Sequence, residues 1–105
     1  MNIRKTFILF LNPGCELDYK KRHDEIWPEM IALLKSHGVH NYSIFLEKDT
    51  NKLFCYAEIE SEERWADIAN SEVCKKWWDY MSDIMLCNSD NSPQSIELSE
   101  MFYMK

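Results

Sequence analysis

Residues 41–60 read NYSIFLEKDTNKLFCYAEIE. Two strand-like runs, 41–48 and 52–60, flank Asp49-Thr50-Asn51, whose short polar side chains favour a turn, so the stretch predicts a β-hairpin. Alternation along the first run sends Tyr42, Ile44 and Leu46 to one face and Phe45 to the other. Both faces therefore carry bulk, and a single layer of helices covers only one of them.

Upstream, Leu17, Tyr19, His23, Ile26, Trp27, Met30, Ile31 and Leu34 recur at helical spacing up to Gly38, a helix stop. Pro28 interrupts that pattern. It lacks an amide hydrogen and pushes Trp27 out of the helical region, which predicts a kink or a restart. Before it, the apolar run of residues 3–11 ends at Asn12-Pro13-Gly14 and reads as a buried strand. Downstream, Ser61 followed by Glu62 and Glu63 reads as an N-cap with acidic residues favouring the helix dipole. Helical spacing continues through Trp65, Ile68, Val73, Cys74, Trp77, Met81 and Ile84, with a break at Asn70-Ser71. A polar loop at 88–95 leads to a last apolar stretch, 96–104. The order is β-α-β-β-α-β, the ferredoxin-like α+β arrangement of one antiparallel sheet with helices on one face. The uncovered face predicts a homodimer packed sheet to sheet.

The 105 residues suit a single domain, 1–105, and a 46% apolar content suffices for its core. A net charge of −6 argues against nucleic acid, which needs clustered Lys and Arg, and against anionic lipid headgroups. Cys15, Cys55, Cys74 and Cys87 stand far apart, without the spacing of a zinc site or a C-x-x-C motif. The run Phe7–Leu11 is too short for a signal peptide and lacks a cleavage site, so reduced thiols in a cytoplasmic protein are expected.

Much familiar chemistry is missing. With only Gly14 and Gly38 there is no glycine-rich phosphate loop and no G-x-S-x-G elbow, and no H-E-x-x-H occurs. His37 and His40 flank the helix stop and read as a helix-terminal cation and a strand-edge imidazole. What remains lies on the first helical pattern. Tyr19 and His23, at i and i+4, share one face, and Trp27 continues it. A histidine ionises near neutral pH and so can give or take a proton, while a neighbouring tyrosine hydroxyl can orient a substrate oxygen or relay one. The plainer alternative is a packing face with two polar tips. The Trp77-Trp78 pair points about 100° apart on a helix, so one ring can enter the core while the other lines its edge. Such rings suit a sugar, whose C–H faces lie on indoles, although both could simply fill the core. Tyr42 by periodicity alone is core or rim.

Taken together, these residues resemble the L-rhamnose mutarotase family over the whole chain. The likeness runs through Tyr19-Lys20-Lys21-Arg22-His23, Ile26-Trp27-Pro28-Glu29, Lys35-Ser36-His37-Gly38, and His40-Asn41-Tyr42. It continues through Glu58-Ile59-Glu60-Ser61-Glu62-Glu63-Arg64-Trp65, Val73-Cys74, Trp77-Trp78 and Asp90-Asn91-Ser92-Pro93, and departs at Asp24-Glu25 and Leu86-Cys87. The resemblance implies a dimeric α+β-barrel isomerase that interconverts the anomers of L-rhamnose. It also implies His23 as the proton donor and Tyr19, Tyr42, Trp77 and Trp78 as sugar contacts. Opening and reclosing a hemiacetal needs no redox change, so no cofactor and no metal are expected. Two other readings of the same pattern are a cofactor-free monooxygenase or haem-degrading α+β barrel, since one fold hosts many functions, and a sugar-binding module without catalysis.

Overall fold

A computed structural model describes residues 2–105. Strand β1 (Ile3–Phe10) is followed by helices α1 (Glu16–Asp24) and α2 (Pro28–Ser36), then by the hairpin β2 (Val39–Glu47) and β3 (Lys52–Ile59). Helix α3 (Glu62–Asp67), one 3-10 turn (Ile68–Asn70), helix α4 (Glu72–Met81) and the short strand β4 (Ile96–Leu98) complete the chain. The sheet order is β2-β3-β1-β4 with every neighbouring pair antiparallel. This is the expected ferredoxin-like topology.

Local chemistry sets the element ends. Trp27, forced to an extended conformation (φ −61°, ψ 135°) before Pro28, ends the first helical pattern and caps the second, so the chain restarts as α2 with proline in its first turn. Gly38 (φ +77°) turns the chain out of α2 and into β2. The Ser61 hydroxyl accepts from the Arg64 amide at 3.2 Å and Ser71 from the Cys74 amide at 3.3 Å, so α3 and α4 each begin on a side-chain cap.

Successive strand residues face opposite ways, which gives the sheet two unlike surfaces. Phe7, Leu9, Leu53, Cys55, Ala57 and Ile59 lie under the helices and join Met30, Ile68, Cys74, Trp77 and Met81 in one core. Each large apolar side chain so buried contributes roughly 1.5–3 kcal/mol relative to exposure, offset by the entropy of ordering the chain. On the other surface the registers align Phe45 with Phe54, Phe54 with Ile8, and Ile8 with Ile96, an apolar row across all four strands. Phe45 is 66% exposed there.

The last apolar stretch departs from its sequence reading. Only Ile96–Leu98 pair as a strand; residues 99–105 form no regular element, and Met101 is 90% exposed. As an edge strand β4 pairs with β1 alone, and the ladder stops at the Thr6–Leu98 pair although β1 runs on to Ile3. The tail is tied back through Arg4, whose guanidinium meets the Glu100 carboxylate at 2.6 Å and lies 3.5 Å from the centre of the Tyr103 ring.

Candidate active site

Helix α1 places Tyr19 and His23 one turn apart, with ring centres 4.3 Å apart and nearly parallel. His23 Nδ1 lies 3.1 Å from the Tyr19 carbonyl oxygen. A carbonyl can only accept, so Nδ1 carries the hydrogen and Nε2 is the nitrogen left for a substrate. Burial lowers the His23 pKa from its ordinary 6.5, against the opposing pull of the Tyr19 carbonyl and the Asp24 charge.

Helix α4 supplies the wall opposite. Trp77 is buried and meets the His23 ring edge-on at 5.4 Å, while Trp78 is half-buried and lines the same opening. Trp27, expected to extend the Tyr19–His23 face, does not do so, because α1 stops at Asp24. From its capping position on α2 it packs edge-on against Trp77 at 5.1 Å instead. It therefore supports the wall from behind.

Tyr42 reaches the helix side of the sheet through an irregularity in β2. His40 pairs with Glu58 and Ser43 with Tyr56, so two residues of β2 oppose the single Ala57. Asn41 takes up the extra residue with φ 49°, a left-handed conformation that asparagine tolerates. Because of this bulge Val39 and Tyr42 lie on one face although their separation is odd. Without it Phe45 would turn inward and Tyr42 outward. Tyr42 then contacts Phe7 at 6.3 Å and Trp65 at 6.1 Å. Sequence spacing marked Trp65 only as a helical apolar position, with no signal that it would neighbour Tyr42.

Between helices and sheet lies a cleft of about 1180 Å³, and Tyr19, His23, Tyr42, Trp77 and Trp78 all line it. Among the described residues, no protein group bonds the hydroxyls of Tyr19 or Tyr42 or the indole nitrogens of Trp77 and Trp78. None of these atoms is sealed off without a partner. They open to the cleft, as a polyhydroxy ligand requires. Burial holds the hydroxyls of Tyr19 and Tyr42 neutral far above the usual tyrosine range, so at neutral pH both stay protonated and able to donate. The thiols of Cys55 and Cys74 are likewise pushed up by burial, to about 12 and about 11, so neither acts as a thiolate at neutral pH. Among the described residues no group of three or more His, Cys, Asp or Glu side chains converges as a metal site would need. Nor is any helix long and apolar enough to cross a membrane.

The family model for L-rhamnose mutarotase matches residues 4–104. The L-rhamnose mutarotase of Tolumonas auensis is 57% identical over 102 residues, covering 97% of this chain and 98% of that protein. The Shigella flexneri protein of the same name is 56% identical over the same shares. The crystal structure of L-rhamnose mutarotase from Formosa agariphila superposes with a TM-score of 0.91 at 48% identity, over 98% of this chain and 99% of that one. A putative antibiotic biosynthesis monooxygenase from Bordetella bronchiseptica also superposes, with a TM-score of 0.70 over 96% of this chain and 98% of that one, but at 14% identity the likeness is one of fold alone. Fold, cleft and relatives together define the class: an epimerase-type isomerase on a ferredoxin-like α+β frame. The chain belongs to the L-rhamnose mutarotase family.

Proposed function

We propose that this protein interconverts the α and β anomers of L-rhamnose, with His23 as the proton donor. The observation that carries the reading is the bond from His23 Nδ1 to the Tyr19 carbonyl, which leaves Nε2 free in a cleft of neutral polar tips and aromatic walls. Ring opening moves a proton onto the ring oxygen as the bond from C1 to that oxygen breaks and the anomeric hydroxyl loses its proton. Rotation about C1–C2 then exposes the other carbonyl face, and the same steps run backward. The anomeric oxygen changes place during this cycle and the ring oxygen does not. A fixed side chain can therefore serve both anomers only at the ring oxygen. There His23 Nε2–H gives its proton on opening and Nε2 recovers it on closing. The Tyr19 hydroxyl relays the anomeric proton to water, Tyr42 bonds a sugar hydroxyl, and Trp77 and Trp78 hold the sugar's C–H face and methyl group. General acid–base catalysis of about 10² to 10⁴-fold is the scale available.

Two copies are proposed to pack through the open sheet faces, because the apolar row Phe45–Phe54–Ile8–Ile96 has no helix over it. The four unpaired cysteines fit a reducing cytoplasm.

Saturation-transfer NMR between the anomeric protons of L-rhamnose tests the reaction. The wild type should accelerate exchange and His23→Ala should return it close to the rate in water. Exchange that survives the substitution moves the donor elsewhere, with Tyr19 next. Binding without acceleration leaves a sugar-binding module.

A further inference from the structure

Helix α1 carries Tyr19 and His23 yet buries only Tyr19. Its sequence, Glu-Leu-Asp-Tyr-Lys-Lys-Arg-His-Asp, is too polar for apolar packing to fix its position, and so short a helix draws little stability from its own backbone. Another attachment has to set where His23 stands. Arg22, its chain neighbour, is absent from the cleft lining and points toward the far end of α4. Its Nη1 donates to Asp83 Oδ1 at 2.8 Å and its Nη2 to Asp83 Oδ2 at 3.1 Å, a two-pronged pair. Nη1 also donates to the Tyr80 carbonyl at 2.7 Å, and the guanidinium lies 4.7 Å from the centre of the Tyr80 ring.

Tyr80 belongs to the tryptophan wall. Its ring packs against Trp27 at 5.6 Å and Trp77 at 5.7 Å, and Trp77 meets His23 at 5.4 Å. From Arg22 the contacts thus run through Tyr80 and Trp77 back to His23.

We infer that Arg22 is a positioning residue for the isomerisation, clamping α1 onto the C-terminal end of α4 through Asp83 and the Tyr80 carbonyl so that His23 stays seated against Trp77. The inference rests on the reading of His23 as the proton donor. A geometry that rigid is worth much in catalysis, because a group displaced by about 1 Å can lose on the order of 100-fold in rate. The fork matters as well as the charge, since Asp83 and a backbone carbonyl are held together by one planar guanidinium.

The test combines kinetics with the His23 ring signals. Anomer exchange is measured against L-rhamnose concentration in wild type, Arg22→Gln, Asp83→Asn and the double variant, and the His23 C–H resonances are followed against pH in each. Besides Tyr19, Lys20 and Asp24 on its own helix, Tyr42 from β2 and Cys74 from α4 line the same cleft, and all are unchanged in these variants. Either single substitution should lower kcat at least tenfold with KM within about threefold, because the donor shifts while the tryptophan wall remains. His23 should then titrate closer to 6.5 as water reaches it. The double variant should be no worse than Arg22→Gln, since Asp83 acts through Arg22 and has nothing left to hold once the guanidinium is gone. Unchanged kcat overturns the clamp, and so does a loss of rate with an unmoved His23 titration or with additive effects. Asp83 is exposed, so Asp83→Asn decides the matter if Arg22→Gln does not fold. His23→Ala, run alongside, separates the two claims. Exchange that survives it overturns the role of His23, whereas exchange that collapses there but persists in the Arg22 and Asp83 variants overturns the clamp alone.

Discussion

A histidine that gives one ring nitrogen to a backbone carbonyl has the other free for chemistry, and its surroundings decide when that nitrogen carries a proton. At His23 burial outweighs the Tyr19 carbonyl and Asp24, so the folded protein binds the proton less tightly than an unfolded chain titrating at 6.5. The sign follows. Folding is unaffected by this group above pH 6.5 and loses stability as pH falls below it, because the unfolded state then takes up the proton first. A donor at the ring oxygen works as imidazolium, and that fraction declines as pH rises through the lowered value. The protein-catalysed part of kcat/KM, measured by anomer exchange after subtraction of the rate in water, should therefore fall with rising pH around a midpoint below 6.5. A rate that climbs through that midpoint would reassign His23 to the anomeric hydroxyl as a base.

Individual elements reach their places by different means. Helix α4 begins on the Ser71 hydroxyl and buries Cys74, Trp77 and Met81, so local cap and tertiary packing agree. Ser71→Ala should cost about 1 kcal/mol, which for a domain of this size is a fall in Tm of roughly 4–8 °C. Calorimetry of the two proteins at one pH reads it, and an unchanged Tm would mean that packing alone holds the helix start. Helix α1 is the opposite case, with polar attachments in place of a buried face. Such asymmetry suits the proposed role of His23: α4 is held through its buried face, and α1 through the bonds of Arg22 to Asp83 and the Tyr80 carbonyl. The Ser61 cap of α3, the break at Asn70-Ser71 and the restart at Pro28 were legible in the sequence, since each is a matter of neighbouring residues, whereas the capping role of Ser71 came only with the structure. The bulge at Asn41 was not. Asparagine tolerates a left-handed conformation without demanding it, and only the pairing of β2 with β3 forces the extra residue there.

For the molecule as a whole, the open sheet face is the largest departure from a self-sufficient soluble fold. Phe45, Phe54 and Ile96 are exposed along one row, with Ile8 buried between Phe54 and Ile96, and exposed apolar side chains gathered on one face suit the proposed dimer interface. The sheet's two faces cannot both be covered by helices that all cross on one side. Sedimentation velocity should find the wild type as a dimer and the Phe54→Lys, Ile96→Lys double variant as a monomer with an unchanged far-UV spectrum. A dimeric variant would place the interface elsewhere, and a monomeric wild type would remove the dimer.

The sequence by itself determined the order of the elements, the ends marked by Pro28, Gly38 and Ser61, and the turn stacking Tyr19 on His23, because periodicity, caps and proline act over a few residues. Its full-length likeness to one family carried the reading of Tyr42, Trp77 and Trp78, which spacing alone left between core and ligand. Only the tertiary structure decided which distant residues meet. It moved Trp27 from the α1 face to the back of Trp77, gathered Tyr42 and Trp65 beside Phe7, left the tail from 99 to 105 exposed, and joined Arg22 to Asp83 across 61 positions. Such meetings depend on strand register, on a bulge that reverses which residues face inward, and on how helices cross the sheet. None of these is written in any short window of the chain.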